Sequence, residues 1–583
     1  QGTLQMGFSS PALLLLALAG PALAANFVDR VPRTFVDKAD GPVVQLDSGA
    51  VQGTLQNGVK VFTSIPYAEP PLGNLRWQAP RPVAPWDGYL RAEGSPPGCV
   101  QHCKLQTFAC PAVVSEDCLF LNVWTPADAT AESKLPVMVW FHGGNFQFGF
   151  SDPFFYNGTL MAQQDVVVVT VNYRLGALGF MYHSDSSLDL PGNAGFLDQV
   201  RSLEWVRANI ASFGGDPDTV TIFGQSAGAC SVATHLVSPR SRGLFKRAIL
   251  ESLPMALVMR TEQEGTQLAV QYAKKLGCTR GLLNEVDRDC MFAASAQDAA
   301  NAQDAVRKDL WSDLPTLLLA FMPFTPTVDG KVLEGQPLDQ WRAGNAAPGV
   351  DVLMGTVADE GVLFIYEAFG SSLSKIGFEA AISAIFGLFD LSHVDRQYNP
   401  PTSGDTRPTA SVVATDAIFA CPDRNGSLAL SGVLGDGRVA ARDPQRVVYT
   451  YEFNHTISCG SAAWQFATYC YDKVCHGAEL PFVWHPDVAQ MNASFTAEEE
   501  ELSLSMIDMW TSFARDGKPV TSHGAVSQWP TNLAGGAGLR GASGVPQTST
   551  LYFATASDGG NVVKTDLYES KCQLWNSIGY HFR

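Results

Sequence analysis

The sequence predicts an α/β fold: a large, mostly parallel central sheet flanked by helices, preceded by N-terminal β-hairpins and interrupted by loop insertions. Three observations carry that expectation. Continuous apolar runs rich in Val, "LPVMVWF" and "DVVVVTVNYR", are what strands buried on both faces of a parallel sheet require. Helical periodicity recurs between and after them. An early segment alternates β-branched residues with Gly and Asn turn signals.

Along the chain, "VVQLDSGAVQGTLQNGVKVFTSIPYAEPPLG" reads as antiparallel hairpins. The two Val-rich strands follow. In "NAGFLDQVRSLEWVRANIASFGG", Leu197, Val200, Leu203, Val206 and Ile210 recur at helical spacing, and Gly214 and Gly215 supply the stop. "TVTIFG", "RAILES", "VDVLMG" and "RVVYTYEF" are further strands. Clusters of Pro, Gly and Ser near 400–410 and 533–547 read as long loops, and strand candidates follow the first. Residues 25–583 are therefore expected to form one large decorated domain.

A chain of 583 residues with 46% hydrophobic and 16% charged residues buries a substantial core. Its net charge of -18 argues against nucleic-acid and anionic-membrane partners, which select clustered Lys and Arg. From Met6, "MGFSSPALLLLALAGPALAAN" is too short to span a bilayer and ends in small residues, so residues 1–24 are expected to be a secretory signal, with 1–5 extraneous to it. Twelve cysteines in local groups suit an oxidising compartment. No paired C-x-x-C with matching His occurs, so neither a metal nor a cofactor is expected. Sequons at Asn157, Asn425, Asn454 and Asn492 fit a secreted glycoprotein. The C-terminal "QLWNSIGYHFR" has neither an apolar tail nor a CaaX box, so no stable membrane anchor is expected.

The chemistry centres on "TIFGQSAGACS", which places Ser226 between Gly224 and Gly228. G-x-S-x-G alone is weak, since about 0.3 matches arise by chance in such a chain. Its context is informative: "TVTIF" is a strand and "AGACSVATHLV" opens a helix, the arrangement of a nucleophile elbow. A serine at its free pKa is a weak nucleophile and needs a base, an acid to orient it, and oxyanion donors. "WFHGGNF", where a strand ends in two glycines, is the candidate for the donors. Glu360 in "MGTVADEG" is chosen as acid, with Asp359 competing, and His476 in "CHGAELPFVW" as base. Serine, acid and histidine then follow the chain order of α/β-hydrolases.

At these residues the sequence resembles the type-B carboxylesterase and cholinesterase family of α/β-hydrolases. "EPPLGNLRW", "SEDCLFLNVWTP", "NAGFLDQ", "FGGDPDTVTIFGQSAGA", "ADEG", "HGAELPFV" and "KCQLW" match its pattern in order. The resemblance implies Ser226 as nucleophile, Glu360 as acid, His476 as base, and the backbone N–H groups of Gly144, Asn145 and Ala227 as oxyanion donors. Asn145 stands where most active members carry a third glycine. The family pattern also pairs Cys278 with Cys290 and Cys421 with Cys572, and closes a loop from Cys118 to either Cys99 or Cys103. Cys459, Cys470 and Cys475 are expected to supply one more bridge, with Cys230 a buried free thiol. Arg76 and Glu116 match the family's structural ion pair.

Substrate preference turns on the pocket. The place of the choline-binding tryptophan falls on or near Phe108, Gln225 replaces the glutamate that cholinesterases carry before the nucleophile, and Leu363, followed by Phe364, falls where they carry an aromatic. A missing charge and a missing aromatic each weaken ammonium binding by about 1 kcal/mol. The resemblance therefore implies a secreted serine hydrolase of small neutral carboxylic esters. Cholinesterase-like, lipase-like and non-catalytic adhesion readings are the alternatives.

Overall fold

The computed structural model describes residues 26–582, apart from 104–109, 313–316, 434–442, 444–445, 488–492, 524–525, 527–528 and 534–546. The signal-like segment, Phe108 and Asn492 lie outside the described residues. An 11-stranded sheet forms the centre of the molecule. Its strands, in chain order, are β1 (Thr54–Gln56), β2 (Val59–Pro66), β3 (Phe120–Pro126), β4 (Leu135–Phe141), β5 (Val167–Val171), β6 (Gly215–Gln225), β7 (Arg247–Glu251), β8 (Asp351–Val357), β9 (Val448–Phe453), β10 (Ser549–Phe553) and β11 (Val562–Thr565).

The spatial order is β11-β10-β9-β8-β7-β6-β4-β5-β3-β2-β1. The run from β10 to β5 is parallel throughout. β3, β2 and β1 on one side and β11 on the other pair antiparallel. The expected N-terminal hairpins form, one of them as β1–β2 at the sheet edge and the other between Val43–Leu46 and Gly49–Gln52 in a separate four-stranded sheet.

The Val-rich runs are central because both of their faces are covered. In β4, Val137, Val139 and Phe141 enter one apolar core while Met138 and Trp140 enter the other. β5 does the same, with Val167, Val169 and Val171 opposite Val168. The sheet is thus sandwiched between two hydrophobic layers.

Helix α1 (Ala194–Asn209) covers one face, and Gly214 ends the following turn with φ 88°. Its burial corrects the sequence expectation. Leu197 is only half-buried while Phe196 lies in the core, and Asp198, Gln199 and Ser202 are buried too. Asp198 takes a bidentate pair from buried Arg174 at 2.7 and 2.8 Å, which compensates its desolvation. The loop expected over 400–410 is also shorter, since a helix begins at Arg407.

Five disulfides form among the described residues: Cys99–Cys118, Cys103–Cys110, Cys278–Cys290, Cys421–Cys572 and Cys470–Cys475. Cys99 rather than Cys103 is the partner of Cys118, and Cys230 and Cys459 stay free. Arg76 pairs with Glu116 and also donates to the carbonyls of Met291 and Phe292 in the helix Arg288–Ala293, tying segments far apart in sequence together. No helix among the described residues is long and apolar enough to cross a membrane.

Candidate active site

β6 ends at Gln225 and helix α2 (Ala227–His235) begins at Ala227, so Ser226 alone makes the turn, with φ 59° and ψ -121°. That strained conformation is held from three sides. The Ser226 N–H donates to the Glu251 carbonyl of neighbouring β7 at 2.9 Å, and the Ser226 carbonyl accepts from Cys230 N–H at 2.9 Å. Gly224 and Gly228 permit the close approach: a Cβ on Gly228 would stand 1.9 Å from the Phe141 carbonyl oxygen, and one on Gly224 would stand 2.6 Å from the Gly228 carbonyl carbon.

Glu360 and His476 come together through their preceding residues. Asp359 and Cys475 form an isolated parallel β-bridge. The Asp359 N–H donates to the Val474 carbonyl, and its carboxylate accepts from the Val474 N–H, both at 3.0 Å. Glu360 opens helix α3 (Glu360–Ala368) and is wholly buried. Its Oε1 accepts from Val357 N–H at 3.0 Å, and its Oε2 lies 2.5 Å from His476 Nδ1. Asp359 is thus a backbone fastener, and Glu360 is the acid in contact with the histidine. Phe364 and Phe419 pack on the His476 ring with centroids at 4.9 and 5.2 Å. Phe419, in a π-helical turn at Thr415–Ala420, is absent from the sequence reading. Nothing local to its sequence signals the contact.

The other ring nitrogen is not hydrogen-bonded to Ser226. His476 Nε2 instead lies 3.2 Å from the side-chain nitrogen of Gln225. The loop expected to carry the oxyanion donors runs beside them, since a Cβ on Gly143 would stand 3.2 Å from Ser226 Cβ. Gly144 and Asn145 have φ of 110° and 56°. Asn tolerates the left-handed region better than other non-glycine residues, so it keeps the loop's shape in place of a third glycine. The Gly144 carbonyl accepts from Gln147 and Phe148 N–H at 2.8 and 3.1 Å, and the Tyr173 hydroxyl donates to the His142 carbonyl at 2.6 Å. The N–H groups of Gly144, Asn145 and Ala227 have no acceptor among the described residues.

Three buried carboxyls surround this cluster. Burial pushes Glu251 up to about 8, with its Oε1 accepting from Trp510 Nε1–H at 2.7 Å. Glu479 is raised well above the usual range by burial and then by the charges of Glu251 and Glu360; its Oε1 accepts from Ser252 Oγ–H at 3.3 Å. Asp423 is raised by burial and then by Glu360. Neutral forms are favoured at all three, and Glu360 is the carboxyl group in contact with the imidazole.

Phe364 lies half-buried on α3 beside the histidine, and Phe321 extends the aromatic wall 5.4 Å from Phe364, whereas half-buried Leu363 packs against the other hydrophobic core. The sequon expectation is corrected at Asn425. It lies in helix α4 (Cys421–Leu430), is 4% exposed, and spends its amide nitrogen on Asn576 Oδ1, so a glycan there has no room. Asn157 and Asn454 are half-buried. Cys470–Cys475 is the bridge next to His476, and it leaves Cys459 out.

A sequence model described as the carboxylesterase family matches residues 40–536. The cAMP-regulated D2 protein of Dictyostelium discoideum is 34% identical over 519 residues, 89% of this chain and 90% of that protein. Para-nitrobenzyl esterase of Bacillus subtilis (strain 168) is 35% identical over 84% of this chain and 92% of its own. A solved PNB esterase structure superposes with a TM-score of 0.73 at 32% identity, covering 91% of this chain and 99% of its own.

Proposed function

The chain belongs to the carboxylesterase family of serine ester hydrolases, and on that premise we propose that it cleaves neutral carboxylic esters through an acyl-enzyme on Ser226. The observation that carries the reading is the buried Glu360–His476 pair, 2.5 Å between Oε2 and Nδ1, set beside a serine strained onto a strand-to-helix turn. A carboxylate at that distance holds the ring proton on Nδ1 and leaves Nε2 basic.

In the proposed reaction Ser226 Oγ attacks the ester carbonyl while His476 Nε2 takes its proton. The new C–O bond places negative charge on the carbonyl oxygen, where the N–H groups of Gly144, Asn145 and Ala227 receive it. The tetrahedral intermediate collapses, and the imidazolium returns the proton to the departing alkoxide as alcohol. Water, deprotonated by the same nitrogen, attacks the acyl carbonyl and releases the carboxylic acid and Ser226. Glu360 stabilises the imidazolium in both halves.

Neutral esters are favoured because the surroundings offer a cation little negative charge. Gln225 is uncharged, Leu363 is aliphatic, and burial drives Glu251 and Glu479 towards their neutral acids. Phe321, Phe364 and Phe419 supply an apolar wall for the acyl chain. Export is favoured by five disulfides and the signal-like segment, with glycans proposed at Asn157, Asn454 and Asn492.

The test is hydrolysis of p-nitrophenyl acetate, butyrate and palmitate and of butyrylthiocholine by the purified protein and its Ser226→Ala variant. Fast cleavage of the short neutral esters by the parent protein alone is expected. Equal, near-background rates for both proteins would contradict the enzyme reading. A preference for butyrylthiocholine would move the substrate class to choline esters.

A further inference from the structure

Gln225 spans the site in a way the ester-hydrolysis scheme does not use. Its side chain is 5% exposed. At one end, Oε1 lies 2.9 Å from where a Cβ on Gly143 would stand, against the oxyanion loop. At the other, Nε2 lies 3.2 Å from His476 Nε2 and 3.8 Å from where a Cβ on Gly477 would stand. The amide therefore bridges the loop that carries the donors and the loop that carries the base. Its backbone is fixed by β6, in register with Glu251 of β7.

We propose that Gln225 is a positioning residue for His476: its carboxamide holds the neutral imidazole by Nε2 in the resting site and yields that nitrogen to Ser226 when an ester binds. An amide N–H donates only to a lone pair, so this bond exists only while Nε2 is unprotonated. Glu360, accepting at Nδ1, selects the same tautomer from the opposite edge of the ring. The two partners fix the ring edge-on, and Phe364 and Phe419 pack against it.

Once Nε2 has taken the serine proton, the ring carries N–H on both nitrogens, and the amide N–H of Gln225 opposes it. The ring then moves away from the amide, towards the leaving oxygen. The amide N–H serves the neutral ring alone, whereas a carboxylate can only accept and so favours the imidazolium. Gln225 thus favours the basic form of the resting histidine.

The charged and titratable groups around the ring come from every neighbouring segment: Glu360 and Asp359 on the α3 side, Glu479 on the histidine's own segment, Glu251 on β7 and Asp423 on α4. Burial holds Glu251, Glu479 and Asp423 towards the neutral form. A charge introduced at position 225 would therefore act on His476 with little competition from them.

This inference rests on the ester-hydrolase reading. Its test is the pH dependence of kcat/KM on p-nitrophenyl acetate, from about pH 5 to 9, for the parent protein, Gln225→Met and Gln225→Glu. The acid limb is expected to move up by roughly half a unit to one unit in Gln225→Met, the effect of one neutral hydrogen bond given to a single protonation state. In Gln225→Glu it should move up further. An acid limb of Gln225→Met that coincides with the parent's would overturn the proposal, since an amide that only packs would alter the rate without moving the limb, whereas the Gln225→Glu limb reports only that position 225 is in electrostatic contact with the ring. Circular dichroism checks folding; should Gln225→Met not fold, Gln225→Leu, which also lacks the amide, is read in the same two directions. An absence of Ser226-dependent hydrolysis in the parent protein at every pH would instead overturn the ester-hydrolase reading itself.

Discussion

Asp359 and Cys475 pair as an isolated β-bridge, and the residue that follows each of them, Glu360 and His476, is thereby delivered to the other at 2.5 Å. Two segments 116 residues apart are thus locked by backbone contacts before their side chains meet. The Cys470–Cys475 disulfide anchors one of them.

Glu360→Gln keeps the volume but replaces the acceptor at Nδ1 with an amide that can donate, which misorients the ring tautomer. The kcat on p-nitrophenyl acetate is expected to fall by roughly 10³- to 10⁴-fold, with a much smaller change in KM. Steady-state kinetics with a circular-dichroism control measures it.

At Asn145 the proposed oxyanion donor is a backbone N–H, and the backbone there has a φ of 56°. Asn145→Gly should retain most of the activity, while Asn145→Val, β-branched and disfavoured at positive φ, should lose on the order of 100-fold in kcat by moving the donor. The ratio of the two rates is the measurement.

Glu251 is pushed from an ordinary 4.5 up to about 8 by burial. Between those values the folded chain keeps a proton that the unfolded chain releases, so this residue's contribution to stability falls as pH rises through that window, and levels off above it. Glu251→Gln, which retains the acceptor for Trp510, should therefore raise the melting temperature relative to the parent near pH 8 and change it little near pH 4. Differential scanning calorimetry at the two pH values tests this; an equal shift at both would contradict it.

Cys421 and Cys572 join helix α4 to the C-terminal helix α5 (Glu569–Ile578) across 151 residues of sequence. Closing so long a loop restricts the unfolded chain strongly. The double variant Cys421→Ser, Cys572→Ser should lose about 2–5 kcal/mol, read as a lower urea midpoint.

The parts of the molecule legible in sequence are those where a residue's neighbours in the chain decide its surroundings. Val137 to Phe141 is apolar without interruption, Val167 to Val171 is broken only by Thr170, and both become the sheet's centre. Periodicity placed Val200, Leu203, Val206 and Ile210 of the α1 segment in the core and missed at Leu197, which falls on the exposed stripe with Arg201, Glu204 and Ala208, while Phe196 is buried. The Asn425 sequon failed because three residues say nothing about a helix packed inside the fold. The Gln225–His476 contact and the Phe419 ring were illegible for the same reason, each joining segments far apart in sequence.

The central claim is a reactive serine, and covalent trapping tests it most directly. Incubation with a p-nitrophenyl phosphonate ester, followed by intact and peptide mass spectrometry, should give one phosphonyl adduct on the peptide containing Ser226. Ester hydrolysis should fall in proportion to labelling, and Ser226→Ala should take up no label. A protein that stays unlabelled, or a Ser226→Ala variant that still hydrolyses esters at the parent rate, would contradict the account.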